Sequence, residues 1–554
     1  MRRALALDDS PKPAAGPRSD TPAGGEGSGT PSTGQIVALF VGLMLAMFMF
    51  SLNQTVLATA LPTIVGELNG VGQMLWVQTG FMLASTILMP AYGRLGDQFG
   101  RKAFFIAAIS IFIGGSFIGF LAPTMGWLIA GRIVQGVGGG GMMILSQAII
   151  AGVVPARQRG KYMGIMGSVF AVSSVAGPLI GGWLTEGPGW RWAFLLSLPL
   201  GVLAIISTIF FFREDASTRT GERSVDVLGL ALIAVFTSSV VLLSAWGGTQ
   251  FAWASPEIIG LISAGVLAAA AFVVVELRVK APIIPMWLFK DRNFTLASIA
   301  GISLSVGMFG VISYMPTYLQ MTHELSPANA GLSMIPLMAT MLVVGTSVGF
   351  LIARTGHYKS YPIAGLFTAT VGLVLLSTVE PGTSVGVLMG FLAVFGTGLG
   401  LALQQLVLIV QNSFPVRMVG TATASNNYFR QVGGTLGMSL VGTLFTSRLM
   451  ANLESGLSAV PGGAGDIGSA NSLTPDIVAH LPAPLYDIVV TAYDDALTPL
   501  FLWVAPLTLI GAVIACFIDP KPLATTIEAA EAPRSTVTAG PLDGESDRDP
   551  TTRG

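Results

Sequence analysis

Residues Gly93 to Lys102 read Gly-Arg-Leu-Gly-Asp-Gln-Phe-Gly-Arg-Lys, a charged hinge between two long apolar runs. A partial copy, Gly-Phe-Leu-Ile-Ala-Arg-Thr-Gly-His-Tyr-Lys, occupies Gly349 to Lys359. Gly93 aligns with Gly349 and Gly100 with Gly356 at one common offset. An internal repeat of this length marks two related halves. In a membrane chain, paired halves point to a transporter in which one bundle rocks against the other around a shared central site.

The rest of the composition places the hinge in a bilayer. The chain is 52% hydrophobic and 10% charged, against roughly 25% charged residues in a soluble domain. Its mean hydropathy is +0.72. The net charge of −1 gives no basic excess for nucleic acid. A lone cysteine, Cys516, excludes an intrachain disulfide and any cysteine-built metal or redox site. Gly160-Lys161 lacks the spaced glycine and the following hydroxyl of a nucleotide-binding loop, so ATP hydrolysis is not the energy source. Gly136, Gly138 and Gly141 spell G-x-G-x-x-G, but no strand precedes them, which excludes a dinucleotide site. No enzymatic activity, cofactor or metal is expected. Residues 1–34 are rich in Pro, Gly, Ser and Thr without the apolar core of a cleaved leader, and 520–554 are similar; both read as disordered cytoplasmic tails.

Apolar runs long enough to span a bilayer, about 20 residues each, fall near 36–64, 73–93, 103–122, 126–153, 161–185, 192–212, 226–246, 256–277, 294–320, 328–353, 361–379, 383–411, 419–446 and 496–518. The hinge follows the second run and its copy follows the tenth. Two six-span halves with two spans inserted between them give that spacing. Basic residues mark orientation, because positively charged loops stay inside. Most of the 28 Lys and Arg lie in the tails or in alternate loops such as Arg94-Arg101-Lys102, Arg157-Arg159-Lys161 and Arg354-Lys359, leaving only Arg191 and Arg448 on the other face. Both termini are therefore expected in the cytoplasm. The largest outside loop, about 447–495, holds six acids; it either concentrates cations near an exit or simply lacks basic residues.

Gly93, Leu95, Asp97, Gly100, Arg101 and Lys102 all match the signature between helices two and three of the major facilitator superfamily, which the hinge resembles. By that resemblance Asp97 and Arg101, with Gly93 and Gly100, belong to a gate that stabilises the outward-facing state. Ala353 stands at the position of Asp97 in the second copy, which predicts an asymmetric gate. Ser173-Ser174-Val175-Ala176-Gly177-Pro178-Leu179-Ile180-Gly181-Gly182 is similar to the antiporter motif of the drug-exporting branches, with Gly164 as the upstream glycine and Ser173 where another glycine is usual. Arg132-Ile133-Val134-Gln135-Gly136 is similar to a further exporter motif, whose intramembrane Arg takes part in proton coupling. Burying Arg132 costs at least about 2.5 kcal/mol on insertion scales, which favours a functional role. Leu61-Pro62, Glu276-x-Arg278 with Pro282 and Pro285, and Asn426 to Gln431 narrow the resemblance to the fourteen-span drug:proton antiporters of EmrB/QacA type.

One departure matters. Asn53 occupies a position where many relatives carry an Asp, and an amide cannot take and release a proton. Asp97, Asp226 and Glu276 sit at cytoplasmic ends of spans and Glu67 and Asp494 at outside ends, so no acid lies at mid-depth, whereas Arg132 and Arg430 lie within spans. A cavity faced by both arginines would favour neutral or anionic lipophilic substrates. Asn53, Gln54, Gln78, Gln135, Gln404, Gln405, Asn426, Asn427, Arg430, Gln431 and Tyr314 are the candidate cavity residues, each either lining or interhelical glue. His323 reads as a loop histidine.

The expectation is an all-α membrane protein of the major facilitator fold with 14 transmembrane helices. Residues 35–213 form one six-helix bundle, 214–293 a linker with two extra helices, and 294–519 a second six-helix bundle. The implied function is secondary active efflux of lipophilic drugs or metabolites in exchange for protons, by a monomer in the plasma membrane. Uptake of a small anion or sugar by the same fold is the alternative.

Overall fold

The computed structural model describes residues 33–70, 73–214, 224–248, 250–458, 478 and 482–525. Its elements in chain order are α1 (Thr33–Glu67), α2 (Met74–Phe99), α3 (Arg101–Phe120), α4 (Met125–Val153), α5 (Ala156–Glu186), the short α6 (Trp192–Leu195) running into α7 (Ser197–Phe211), α8 (Val227–Trp246), α9 (Pro256–Glu276), α10 (Arg292–Thr322), the short α11 (Pro327–Leu332), α12 (Ile335–Thr355), α13 (Ser360–Leu376), α14 (Val385–Ser413), α15 (Val419–Ser458) and α16 (Ala483–Cys516). Single 3-10 turns at Met286–Lys290 and Val416–Met418 precede α10 and α15.

Twelve helices among the described residues are long and apolar enough to cross a membrane, counting α6–α7 and α11–α12 as one span each. The protein is therefore a multi-pass membrane protein. At 17 residues α13 is short of that length, and Asn426, Asn427, Arg430 and Gln431 make α15 too polar to qualify on hydropathy alone.

The packing repeats within the chain. α3 lies on α4, α2 on α4, α1 on α5, α1 on α7 and α3 on α7; α13 on α14, α12 on α14, α10 on α15, α10 on α16 and α13 on α16 reproduce the same five pairings. The halves meet through α2 with α15 and through α5 with α12, which is one contact related to the other by the repeat. The hairpin α8–α9 packs on α2 and α15, against the seam.

Local chemistry sets the helix ends. Asp226 and Asp291 accept from the amides of Gly229 (2.7 Å) and Phe294 (2.9 Å), and Ser255 caps α9 ahead of Pro256. Gly100, at φ 115° and ψ 134°, turns the chain from α2 to α3 with no residue to spare. The left-handed Gly356, at φ 76°, ends α12 and leaves three residues before α13 begins at Ser360.

Two expectations need correction. Much of the outside loop about 447–495 is helix, because α15 runs on to Ser458 and α16 starts at Ala483. Leu449, Leu453, Val489 and Tyr493 bury an apolar face in the core of the second half, so the helices outrun the apolar stretches that hydropathy registers. Asp494 is accordingly buried inside this core, where it accepts from the Tyr318 hydroxyl at 2.6 Å. The second correction concerns 520–525, which were read as part of a disordered tail. The Lys521 amide donates to Tyr358 Oη (2.7 Å), its carbonyl accepts from Asn412 Nδ2 (3.1 Å), and its ammonium lies 2.8 Å from Asp291 Oδ2. Ala524 then accepts from the amide of Arg157 in the other half (3.1 Å). The remaining tail residues, 1–32 and 526–554, and the middle of the outside loop lie outside the described residues. His323 is more than a loop residue: its ring nitrogens meet Thr322 Oγ1 (2.7 Å) and the carbonyl of Thr383 (2.8 Å).

Candidate functional site

The first hinge ties the halves together through side chains. Asp97 and Arg101, one turn apart across Gly100, are both buried. Asp97 Oδ1 accepts from Arg101 Nη2 (2.8 Å) and Nε (3.2 Å), while Oδ2 accepts from the amide (2.6 Å) and hydroxyl (2.9 Å) of Thr421. Thr421 is in the first turn of α15, so the carboxylate sits on the positive end of a helix dipole. Arg101 also donates to the carbonyl of Ala148 in α4 (2.8 Å) and to that of Val416 in the other half (2.5 Å), and its amide donates to Glu214. Lys102 donates to the carbonyls of Ile209 and Phe212. Each ionised group thus gains several charge-assisted partners, which offsets its removal from water. The approach needs glycine: a Cβ on Gly93 would lie 2.6 Å from the carbonyl oxygen of Gly420, and one on Gly420 would strike the Asp97 carboxylate.

The second hinge closes through backbone. A Cβ on Gly349 would overlap the carbonyl of Gly160, and one on Gly164 would lie 2.8 Å from both Gly345 O and Thr346 Cα. Thr346 Oγ1 donates to Gly164 O (3.3 Å). Ala353 itself has no polar side chain to offer; instead the Arg157 side chain donates through Nε to the carbonyl of Ala353 (3.2 Å) and through Nη2 to that of Arg354 (2.8 Å). These are end carbonyls of α12, the negative end of its dipole.

The small-residue run of α5 packs on α1. Gly177 and Gly181 face Thr55 and Thr59 so closely that a Cβ on Gly181 would lie 2.9 Å from Val56 O, and Thr55 donates to Ser173 O at 3.0 Å. Pro178 is exposed, and a Cβ on Gly182 would meet nothing within 4 Å, so these two stand outside the contact.

The candidate polar residues separate into two clusters. Arg132, fully buried in α4, donates to Asn53 Oδ1 (2.5 Å), Gln135 Oε1 (2.9 Å), Gln78 Oε1 (3.5 Å) and Val77 O (3.2 Å), and its guanidinium lies 4.2 Å from the centre of the Phe81 ring. Gln78 continues to Gln54 (3.0 Å) and Gln135 to Ser116 (2.7 Å). Every one of these partners is neutral. The second cluster crosses the halves: Asn427 donates to Gln147 Oε1 (3.2 Å) and accepts from Arg430 Nη2 (2.6 Å). Asn426 instead bonds Ser298 within its own half (3.0 Å). Gln405 is buried without a hydrogen-bond partner at either amide atom, Gln404 and Gln431 are half-buried, and Tyr314 packs on Phe445 away from both clusters. The two arginines therefore do not share one open cavity here. Sequence reasoning missed Thr421, Val416, Gln147, Arg157 and Ser116. An amide in an apolar run was the available signal for Gln147, and a hydroxyl in a first turn was the signal for Thr421.

Two like helical halves joined across a glycine-lined, charge-locked seam define a membrane transporter rather than an enzyme. The chain belongs to the Major Facilitator Superfamily, whose family profile matches residues 43–438. It is 34% identical over 505 residues to the multidrug transporter protein MdtP of Bacillus subtilis strain 168, covering 87% of this chain and 93% of that one. Multidrug resistance protein 3 of the same organism is 30% identical over 494 residues, at 88% and 96% coverage. In fold the chain resembles the human organic anion transporter TETRAN, with a TM-score of 0.57, 14% identity, and 85% and 98% coverage.

Proposed function

We propose that this protein is a secondary active exporter of lipophilic small molecules, working by alternating access in exchange for protons. The observation that carries this reading is the Asp97–Arg101 lock on Thr421 and Val416, which closes the seam between the halves at the hinge end. The relatives named as multidrug transporters supply the substrate class. With the basic loops held inside, the hinge end and both termini face the cytoplasm of a plasma membrane, and the structure is closed inward. α13 and α15 then cross as well, α13 by packing against α14 and α16 and α15 by burying its polar face in the seam, which completes fourteen spans of the EmrB/QacA type.

Export follows from losing and remaking the lock. Neutralising Asp97 removes both the Arg101 ion pair and the charge on the α15 N-terminus, and frees the hinge end to open. Substrate then enters between the halves, and closure of the hinges returns the cavity to the outside. Arg132, held among neutral amides and a ring face, supplies fixed positive potential toward the outer part of the first half. That field favours neutral or anionic substrates over dications. Transport into inverted vesicles, with and without an imposed pH gradient, tests direction and coupling together. Gradient-dependent accumulation is expected; accumulation unaffected by collapsing the gradient would remove the proton from the scheme.

A further inference from the structure

The hairpin α8–α9 and the turn after it build two cavities that share a wall. One, of about 260 Å³, opens at the hinge end and is lined by Arg94 of α2, Lys280, Pro285, Trp287 and Arg417 among others. Its cations come from three different segments, and no acid is among the described residues of the lining. Among the described residues two carboxylates lie near it: Asp226 caps Gly229 N through Oδ1 at 2.7 Å, and Glu276 accepts from the amides of Ile283 (3.2 Å) and Ile284 (3.3 Å) and also lies within the electrostatic reach of Arg94. The other cavity, of about 210 Å³, lies between α8, α9 and α15 and is lined by Phe236, Phe272, Met286, Phe289 and Phe429 together with smaller apolar groups. Tyr428 also borders it, with its hydroxyl already bonded to Thr237 at 2.8 Å.

The 3-10 turn Met286–Lys290 is the common wall. Residues three apart eclipse in such a turn, so Met286 and Phe289 line the apolar cavity while Trp287 faces the basic one. Depth also matches a lipid. At 1.5 Å per residue, Phe272 lies about 6 Å inside the end of α9 and Phe429 about 15 Å inside the start of α15, the level of the upper acyl chain. The basic cavity sits at the level of headgroups, where tryptophan is favoured.

We propose that the paired cavities bind one anionic phospholipid, with its phosphate among Arg94, Lys280 and Arg417 and an acyl chain in the apolar cavity. Charge complementarity selects an anionic headgroup, and the adjoining apolar cavity distinguishes a lipid from a free anion. Because Arg94 and Arg417 lie in different halves, the bound lipid braces the hinge end through the linker.

The test uses full-length protein in neutral detergent, with thermal unfolding followed after adding phosphatidylglycerol, phosphatidylcholine or inorganic phosphate. Phosphatidylglycerol should raise Tm by about 4 °C, and the other two should leave it unmoved. The double substitution Lys280→Glu with Arg417→Glu should abolish that shift, as should Ala269→Trp, which fills the apolar cavity. Photoactivatable phosphatidylglycerol on the unaltered protein should label the peptides carrying Phe272 and Phe289, a readout independent of how well the variants fold. An equal shift with phosphatidylcholine, a shift retained by the charge-reversed protein, or labelling elsewhere would overturn the site. A full shift with inorganic phosphate would reduce it to a free-anion pocket and overturn the lipid assignment.

Discussion

The two hinges occupy equivalent places in the repeat and close by opposite means. At the first, a carboxylate from α2 lies on the N-terminus of α15. At the second, a guanidinium from α5 lies on the C-terminus of α12, and the helices touch glycine to glycine. Both use the helix dipole with the correct sign. They differ in what neutralisation does: a proton can discharge Asp97, but nothing at Ala353 or Gly349 titrates. One hinge is a lock that chemistry can release, and the other is a close-fitting bearing.

The largest effect should come from releasing the lock. Asp97→Asn leaves Arg101 buried without its counter-charge, a loss of about 3–5 kcal/mol from the closed state. Efflux measured in cells at matched expression should fall by more than about tenfold, and unchanged efflux would erase the distinction between the hinges. Next, Gly349→Leu and Gly93→Leu both force side chains into backbone contacts, at about 1–3 kcal/mol. Each should lengthen the distance between spin labels on the hinge ends of α5 and α12 or of α2 and α15. If Gly349→Leu leaves that distance unchanged, the second hinge does not rest on close approach.

A smaller effect is expected for Arg157→Gln, which removes an exposed charge from a helix C-terminus worth up to about 1 kcal/mol. Initial efflux rates should drop about two- to fivefold. The smallest response is expected from adding Ala353→Asp to the Asp97→Asn protein. A carboxylate there meets Arg157 but has no α15 amide to engage, so drug susceptibility should stay that of the single variant. Rescue would show that the hinges are interchangeable.

The hinge, its copy and the long apolar helices were legible because they are written locally: glycine where the backbone must turn, charge where water returns, and period-free hydrophobicity in between. The partners of the hinge were not. Val416, Ala148 and Ala353 contribute carbonyl oxygens, which every residue owns, so only tertiary packing singles them out. Thr421 and Gln147 carry chemistry of their own, yet their value depends on what α2 or α15 brings within 3 Å or so. The same limit separated Arg132 from Arg430. Both were readable as intramembrane charges, but the sequence has no way to state that one is enclosed by amides of its own half and the other bonds to Asn427, which reaches across. Helix ends beyond the apolar runs, as in α15 and α16, were hidden because hydropathy reports the bilayer and helical pairing reports the core.

The stretch from Asp519 to Ala524 runs from Asn293 and Tyr358 in the second half to Arg157 in the first. It works as a seam stitched over the bearing. A deletion series trimmed from the C-terminus should therefore show a cliff rather than a slope: alleles ending after residue 525 keep the stitches, whereas those ending before Asp519 drop them together. Reporters and affinity handles fused beyond that cliff inherit an intact transporter; fused before it, they would replace part of the closure they were meant to observe.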